Sequence, residues 1–153
     1  MRMILFTTIV MYAVVVSQSF MYMLTLRNTQ LALSANSYTE FRQLTDANMN
    51  GIFKYVMYAT LFITLLWTLV NVKTSTSLAF ITAAVAFAGL LVDGILTLKG
   101  NVALNKIINT WSPTHYPENW KEVRSAWFHV FQFRQVANII GFISLMIGTV
   151  WGR

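Results

Sequence analysis

The sequence predicts an all-α integral membrane protein, a four-helix bundle of up-down-up-down topology with a short surface helix in its first loop. Three observations predict it. Hydrophobic residues are 56% and charged residues 10% of the 153 residues, and mean hydropathy is +0.57, a balance foreign to soluble domains. Four apolar stretches, about residues 3–26, 52–72, 78–99 and 126–150, each reach the roughly 20 residues a helix needs to cross a bilayer. Two long connections and one short turn join them, which suits a single domain over residues 1–153 with alternating helix directions.

Length and charge narrow the function classes. The net charge of +6 is spread over segment ends, which reads as membrane-flanking charge and not as a basic face for nucleic acid. The chain has no cysteine, so disulfides, thiolate catalysis and thiolate metal sites are excluded. With only His115 and His129 as histidines, a protein-only metal site or a bis-histidine haem is not expected. Neither a phosphate-binding glycine loop nor a zinc-peptidase motif occurs.

The first stretch, Met3 to Leu26, follows Arg2 and could pass for a signal peptide. It is too long for one, and Met, Tyr and Phe stand where small residues would be needed for cleavage. It is read as the first span, with Ser17, Gln18 and Ser19 in its middle suited to helix contacts. Residues 27–51 form a polar connection. Within it Ser37-Tyr38-Thr39-Glu40 has capping-box spacing, so a helix is expected from about Tyr38 to Asn50, lying at the membrane surface, bent or stopped at Gly51, and placed to act as a lid.

The second span carries Lys54, Tyr55 and Tyr58 near one edge and Trp67 toward the other, as an aromatic belt would. The turn Asn71–Ser77 makes spans two and three antiparallel neighbours. The third helix should continue past the membrane to about Asn109. The stretch 110–117 holds both prolines and must be a loop. The last helix begins near Glu118 and becomes the fourth span.

The third span departs from plain apolar filler. Asp93, Thr97, Asn101 and Asn105 recur every fourth residue, so they share a helix face that drifts by about 40° per step. An aspartate in a span costs roughly 2.5 kcal/mol or more and ordinarily faces a bundle interior. Counted from the long-loop end, Asp93 and Arg134 lie on the order of 10–15 Å deep at 1.5 Å per residue. Gln18, Tyr22 and Tyr58 fall at similar depth, and the two charges are expected to neutralise each other. The pair could be architecture alone, or part of a pocket bounded by Asp93, Asn101, Asn105, Arg134 and the aromatics Trp111, Trp120 and Trp127.

The segment Gly100-Asn101-Val102-Ala103-Leu104-Asn105 resembles the GNVPLN-like motif of the anthrone oxygenase-like family, small four-helix membrane proteins of bacteria and fungi. Trp127 followed seven residues later by Arg134 is similar to that family's Trp…Arg pattern in its last helix. One position departs: Phe131 stands where the family often has a histidine or asparagine. The resemblance implies a four-helix bundle in the bacterial inner (cytoplasmic) membrane. For a minority of members it implies oxygenation of anthrones without metal or organic cofactor, which needs a base to form a substrate carbanion and a dry pocket around it.

The expected function is therefore a small membrane protein whose intrabundle pocket takes an apolar or aromatic molecule, in the direction of a cofactor-independent oxygenase. Asp93, His129 and Arg134 are the candidate catalytic residues. Gln18, Tyr58, Asn101, Asn105, Trp111 and Trp127 are the candidate ligand-binding residues. The alternative is a non-catalytic subunit or scaffold that packs with itself or with another membrane protein, burying small residues such as Ala83, Ala84, Ala88 and Gly89. Seven basic residues flank the long-loop end (Arg27, Arg42, Lys54, Lys99, Lys106, Lys121, Arg124) against Arg2, Lys73 and Arg153 at the other, which favours long loops in the cytoplasm.

Overall fold

A computed structural model describes residues 1–74 and 76–152; Ser75 of the expected turn and the terminal Arg153 lie outside the described residues. Four helices make up the fold: α1 (Arg2–Ala32), α2 (Ala35–Val70), α3 (Leu78–Ile108) and α4 (Trp120–Trp151), each long and apolar enough to cross a membrane. Helix α1 packs on α2 and α4, and α3 packs on α2 and, most extensively, on α4. The order around the bundle is thus α1, α2, α3, α4. Large apolar side chains such as Phe6, Phe62, Ile95, Phe133 and Ile140 stand exposed on its outside, a surface suited to lipid.

The helices run past the expected spans at the long-loop end. Helix α1 does not stop near Leu26 but continues to Ala32, turning extended at Leu33 (ψ 144°). Its terminal carbonyls need partners, and Arg124 of α4 supplies them, donating through Nη1 to the carbonyl oxygens of Leu31 (3.1 Å), Leu33 (3.3 Å) and Gln30 (3.4 Å). At 1.5 Å per residue α4 is about 48 Å long against a hydrocarbon core of about 30 Å, so its first turns stand clear of the lipid.

Helix α2 unites the expected surface helix and the second span in one bent rod. The cap is Ser34, whose Oγ accepts from the Ser37 N–H; the cap expected at Ser37 lies one turn too late, because Ala35 and Asn36 are already helical. Gly51 carries the bend, with φ −79° and ψ −119°, a ψ far outside the helical well. After Val70 a short 3-10 turn (Val72–Thr74) leads to Ser77, whose Oγ accepts from Phe80 N–H at 3.2 Å and caps α3. Gln43 of α2 closes the far end of α3, donating to the carbonyls of Ile108 (3.1 Å) and Trp111 (2.8 Å).

Two packed regions fill the bundle. In the membrane half Tyr12, Val15, Val16, Trp67, Ala83, Ala86, Leu90 and Leu145 form one core. Threonines stitch its seams: Thr60 Oγ1 donates to the Met11 carbonyl at 3.4 Å and Thr68 Oγ1 to that of Ala83 at 3.2 Å, the polar cross-links that membrane helices favour. In the loop half Tyr22, Tyr38, Ile108, Trp111, Trp127, Phe128 and Phe131 form an aromatic cluster.

The α3–α4 seam is close because small residues line it. A Cβ on Gly89 would stand 2.7 Å from the Ala137 carbonyl oxygen, and one on Gly141 would overlap the hydroxyl of Tyr12, which is fully buried and donates to Ala86 O at 3.2 Å. Gly141→Ala is expected to cost about 1–3 kcal/mol through overpacking, seen as a lowered Tm in neutral detergent. Adding Tyr12→Phe removes the obstructing oxygen and should return most of that loss; simple additivity of the two would show that Tyr12 is not the obstacle.

Candidate functional site

The polar face of α3 keeps its line because the helix widens. At Thr97–Asn101 α3 makes a π turn, in which Val102 N–H reaches back to Thr97 O. Three steps of four residues along a regular helix would carry Asn105 about 120° away from Asp93. One extra residue in the turn takes back about 100° of this, leaving a drift of about 20°. Helices α1 and α2 widen at the same end of the bundle, at Tyr22–Leu26 and Met49–Phe53. Such turns are rare and recur at functional sites.

Asp93 and Arg134 meet. Asp93, 1% exposed, accepts from Arg134 Nε at 2.6 Å, and Arg134 Nη1 donates to Asn101 Oδ1 at 2.9 Å. Asn101 in turn donates to the Trp127 carbonyl at 3.0 Å. This is the one ion pair among the described residues. Its charges leave water at a cost that their attraction and the extra hydrogen bonds offset.

A second cluster lies nearer the loops. Asn105 Oδ1 accepts from Trp127 Nε1 (2.7 Å) and from Arg42 Nη2 (3.2 Å), and its amide donates to Asp46 Oδ1 (2.6 Å). The other Asp46 oxygen accepts from Asn109 at 2.8 Å. Arg42 lies 3.9 Å over the Trp127 ring and donates through Nη1 to the Tyr22 hydroxyl at 3.4 Å; Gln30 donates to that same hydroxyl. Trp127 stacks on Phe131, with centroids 4.8 Å apart. Trp127 thus joins the two clusters, through its backbone carbonyl on one side and its indole N–H on the other.

Between these clusters and the bent half of α2 lies a cavity of about 240 Å³, near the lower end of the roughly 300–1,000 Å³ usual for ligand sites. All four helices line it. Gln18, Tyr58, Asn101, Asn105, Trp127 and Arg134 are on its wall, as are Tyr22, Arg42, Asp46 and Lys54. Apolar side chains, among them Phe53, Met57, Leu61, Leu90 and Phe131, make up much of the rest of the wall.

Four of the expected residues stand elsewhere, Trp120 among them, which packs against the aromatic cluster at the start of α4. Asp93 lies beneath Arg134 and is not part of the wall. His129 follows Trp127 by two residues, about 200° round the helix, so it is exposed on the outer flank, edge-on to Phe133 at 5.1 Å. Trp111 falls beyond the end of α3 and folds back into the aromatic cluster with Ile108 and Tyr38. Arg42 and Asp46, absent from the expected set, belong to a stripe Tyr38, Arg42, Asp46 at four-residue spacing. That spacing was the available signal. Among the described residues no three His, Cys, Asp or Glu side chains gather as they would around a metal.

The fold and the cavity define the class: an integral membrane four-helix protein with an internal cavity lined by apolar and polar side chains. No protein-family model matches the chain, and neither the curated proteins nor the solved structures give a match.

Proposed function

We propose that this chain binds a small, largely apolar molecule, ring-bearing or lipid-like, in the cavity between α2 and α3. The observation that carries the reading is the cavity itself, with largely apolar walls and a few convergent polar groups, the anatomy of a ligand site. The resemblance to the anthrone oxygenase-like family supports it, since its motif residues Asn101, Asn105, Trp127 and Arg134 all line the cavity. Oxygenase chemistry would also need a base at the bound molecule. Asp93 is committed to Arg134 and His129 faces outward, so binding has more support than proton abstraction. Of the small residues named for the subunit alternative, Ala83 is buried within the chain and Gly89 abuts Ala137 of α4, while Ala84 is half-buried and Ala88 stays exposed. The excess of basic residues at the long-loop end supports a cytoplasmic side for those loops.

Gly94 offers the test. It lines the cavity, and a Cβ there would meet nothing within 4 Å. Native mass spectrometry of wild type released from mild detergent should show a stoichiometric small-molecule adduct. Gly94→Phe, which fills the space without a backbone clash, should lose it while keeping its Tm within a few degrees. A wild type of bare mass would sink the reading, and so would an adduct that Gly94→Phe retains.

A further inference from the structure

We propose that the molecule held here is an amphiphile with a single anionic headgroup, a carboxylate or a phosphate, and that Arg42 binds that headgroup. The proposal rests on the ligand-binding reading of the cavity and names the chemistry of its occupant.

The two arginines on the wall differ in what they have left to give. Arg134 has a carboxylate at 2.6 Å and an amide oxygen at 2.9 Å. Arg42 is 4% exposed and has no carboxylate within salt-bridge reach among the described residues. Of the five N–H groups of its guanidinium, two are engaged, both in long contacts of 3.4 and 3.2 Å to neutral oxygens. Its Nε has no partner among the described residues. Asp46, one turn along, spends both oxygens on the amides of Asn105 and Asn109. The Trp127 ring covers one face of the guanidinium, and stacking of this kind leaves the in-plane donors free.

A buried arginine kept charged without a counter-anion is a costly arrangement. An anion on its free edge removes the cost and makes charge-assisted, bidentate hydrogen bonds. Over the cavity as a whole, Arg42, Lys54 and Arg134 stand against Asp46 and the Asp93 paired to Arg134, so one positive charge is left over. Along α2 the wall beyond Arg42 carries Phe53, Met57 and Leu61, with Lys54 and Tyr58 between them. Arg42 precedes the Gly51 bend and Leu61 lies nineteen residues further on, about 28 Å along the helix. A headgroup at Arg42 would leave an apolar tail to run past Met57 toward Leu61 and Leu90. The small volume favours one short chain or a compact ring system over a two-chain lipid.

The test uses full-length protein in a neutral maltoside detergent, incubated separately with decanoate, decyl phosphate and decanol, with the singly bound fraction read by native mass spectrometry. Partition of each probe into micelles is common to all variants, so comparison between variants is internal. Wild type should bind one or both anions about tenfold more than decanol, and Arg42→Gln should abolish that preference while decanol binding persists. Lys106→Gln, an exposed charge off the cavity wall, should leave the preference in place. Decanoate favoured over decyl phosphate assigns a carboxylate, and the reverse a phosphate; either supports the proposal. Equal binding of all three probes to wild type overturns the headgroup and leaves the cavity reading standing, as does a preference that survives Arg42→Gln. No adduct with any probe overturns both. If Arg42→Gln does not fold, Arg42→Lys replaces it: the planar fork is lost, so anion occupancy should drop at least about threefold relative to decanol, and unchanged occupancy overturns the proposal.

Discussion

Arg134→Leu is expected to destabilise the protein by about 3–5 kcal/mol, the cost of leaving a buried carboxylate without its partner. Asp93 is 1% exposed, and among the described residues its one ion-pair contact is to Arg134 Nε, so its burial and the lack of a second described cation leave it dependent on Arg134. The loss should appear as a lowered Tm, or a lowered unfolding midpoint in denaturing detergent. Asp93→Leu combined with Arg134→Leu should recover most of it, since both charges go together and the helices are left with apolar side chains of fair size. Arg134→Lys should fall between wild type and Arg134→Leu, because one ammonium cannot span Asp93 and Asn101 as the guanidinium does. A double variant as unstable as Arg134→Leu would show that the pair contributes more than mutual neutralisation.

Asn105→Leu is expected to have the second largest effect, about 2–4 kcal/mol, because it strands several buried groups at once. The amide accepts from Trp127 and Arg42 and donates to Asp46. Without it, one indole N–H, one guanidinium edge and one carboxylate oxygen lose their partner, and α2 loses a tie to α3. The tryptophan fluorescence of Trp127 should shift as its N–H is freed. Asn105→Asp, which keeps the accepting oxygen but replaces the amide donor with a second carboxylate against Asp46, should strengthen the contact to Arg42 and still lower stability. A Tm unchanged in Asn105→Leu would mean that the contacts on this residue are replaceable by water.

Much of the fold was legible from hydropathy, because a bilayer demands long apolar helices and leaves little else to choose from. The ends of the helices were not. Helix α1 continues through Arg27–Ala32 because Arg124, more than ninety residues away, satisfies its last carbonyls. No local pattern announces such a partner. The bend at Gly51 was legible, but a break and a bend look alike in sequence.

At the site, the α3 stripe and Arg134 stood out because polar residues in a span are rare. Arg42 and Asp46 did not, since they sit in a segment where charges look ordinary, and their contacts with Trp127, Asn105 and Asn109 form only in the folded bundle. His129 and Trp111 were singled out by residue type alone. Helix phase and chain reversal put the one outside the bundle and the other behind the aromatic cluster.

The widened turn at Thr97–Asn101 makes chain length itself part of the site's specification. Losing one residue there would restore the regular helix and swing everything beyond it by about 100°, carrying Asn105 away from the indole without altering a single contacting side chain. Such a chain tolerates a change of letter at many points along α3 better than a change of count at this one. Relatives that keep the amides but differ by one residue in this interval would present a different face to the cavity, and spacing would separate them where composition could not.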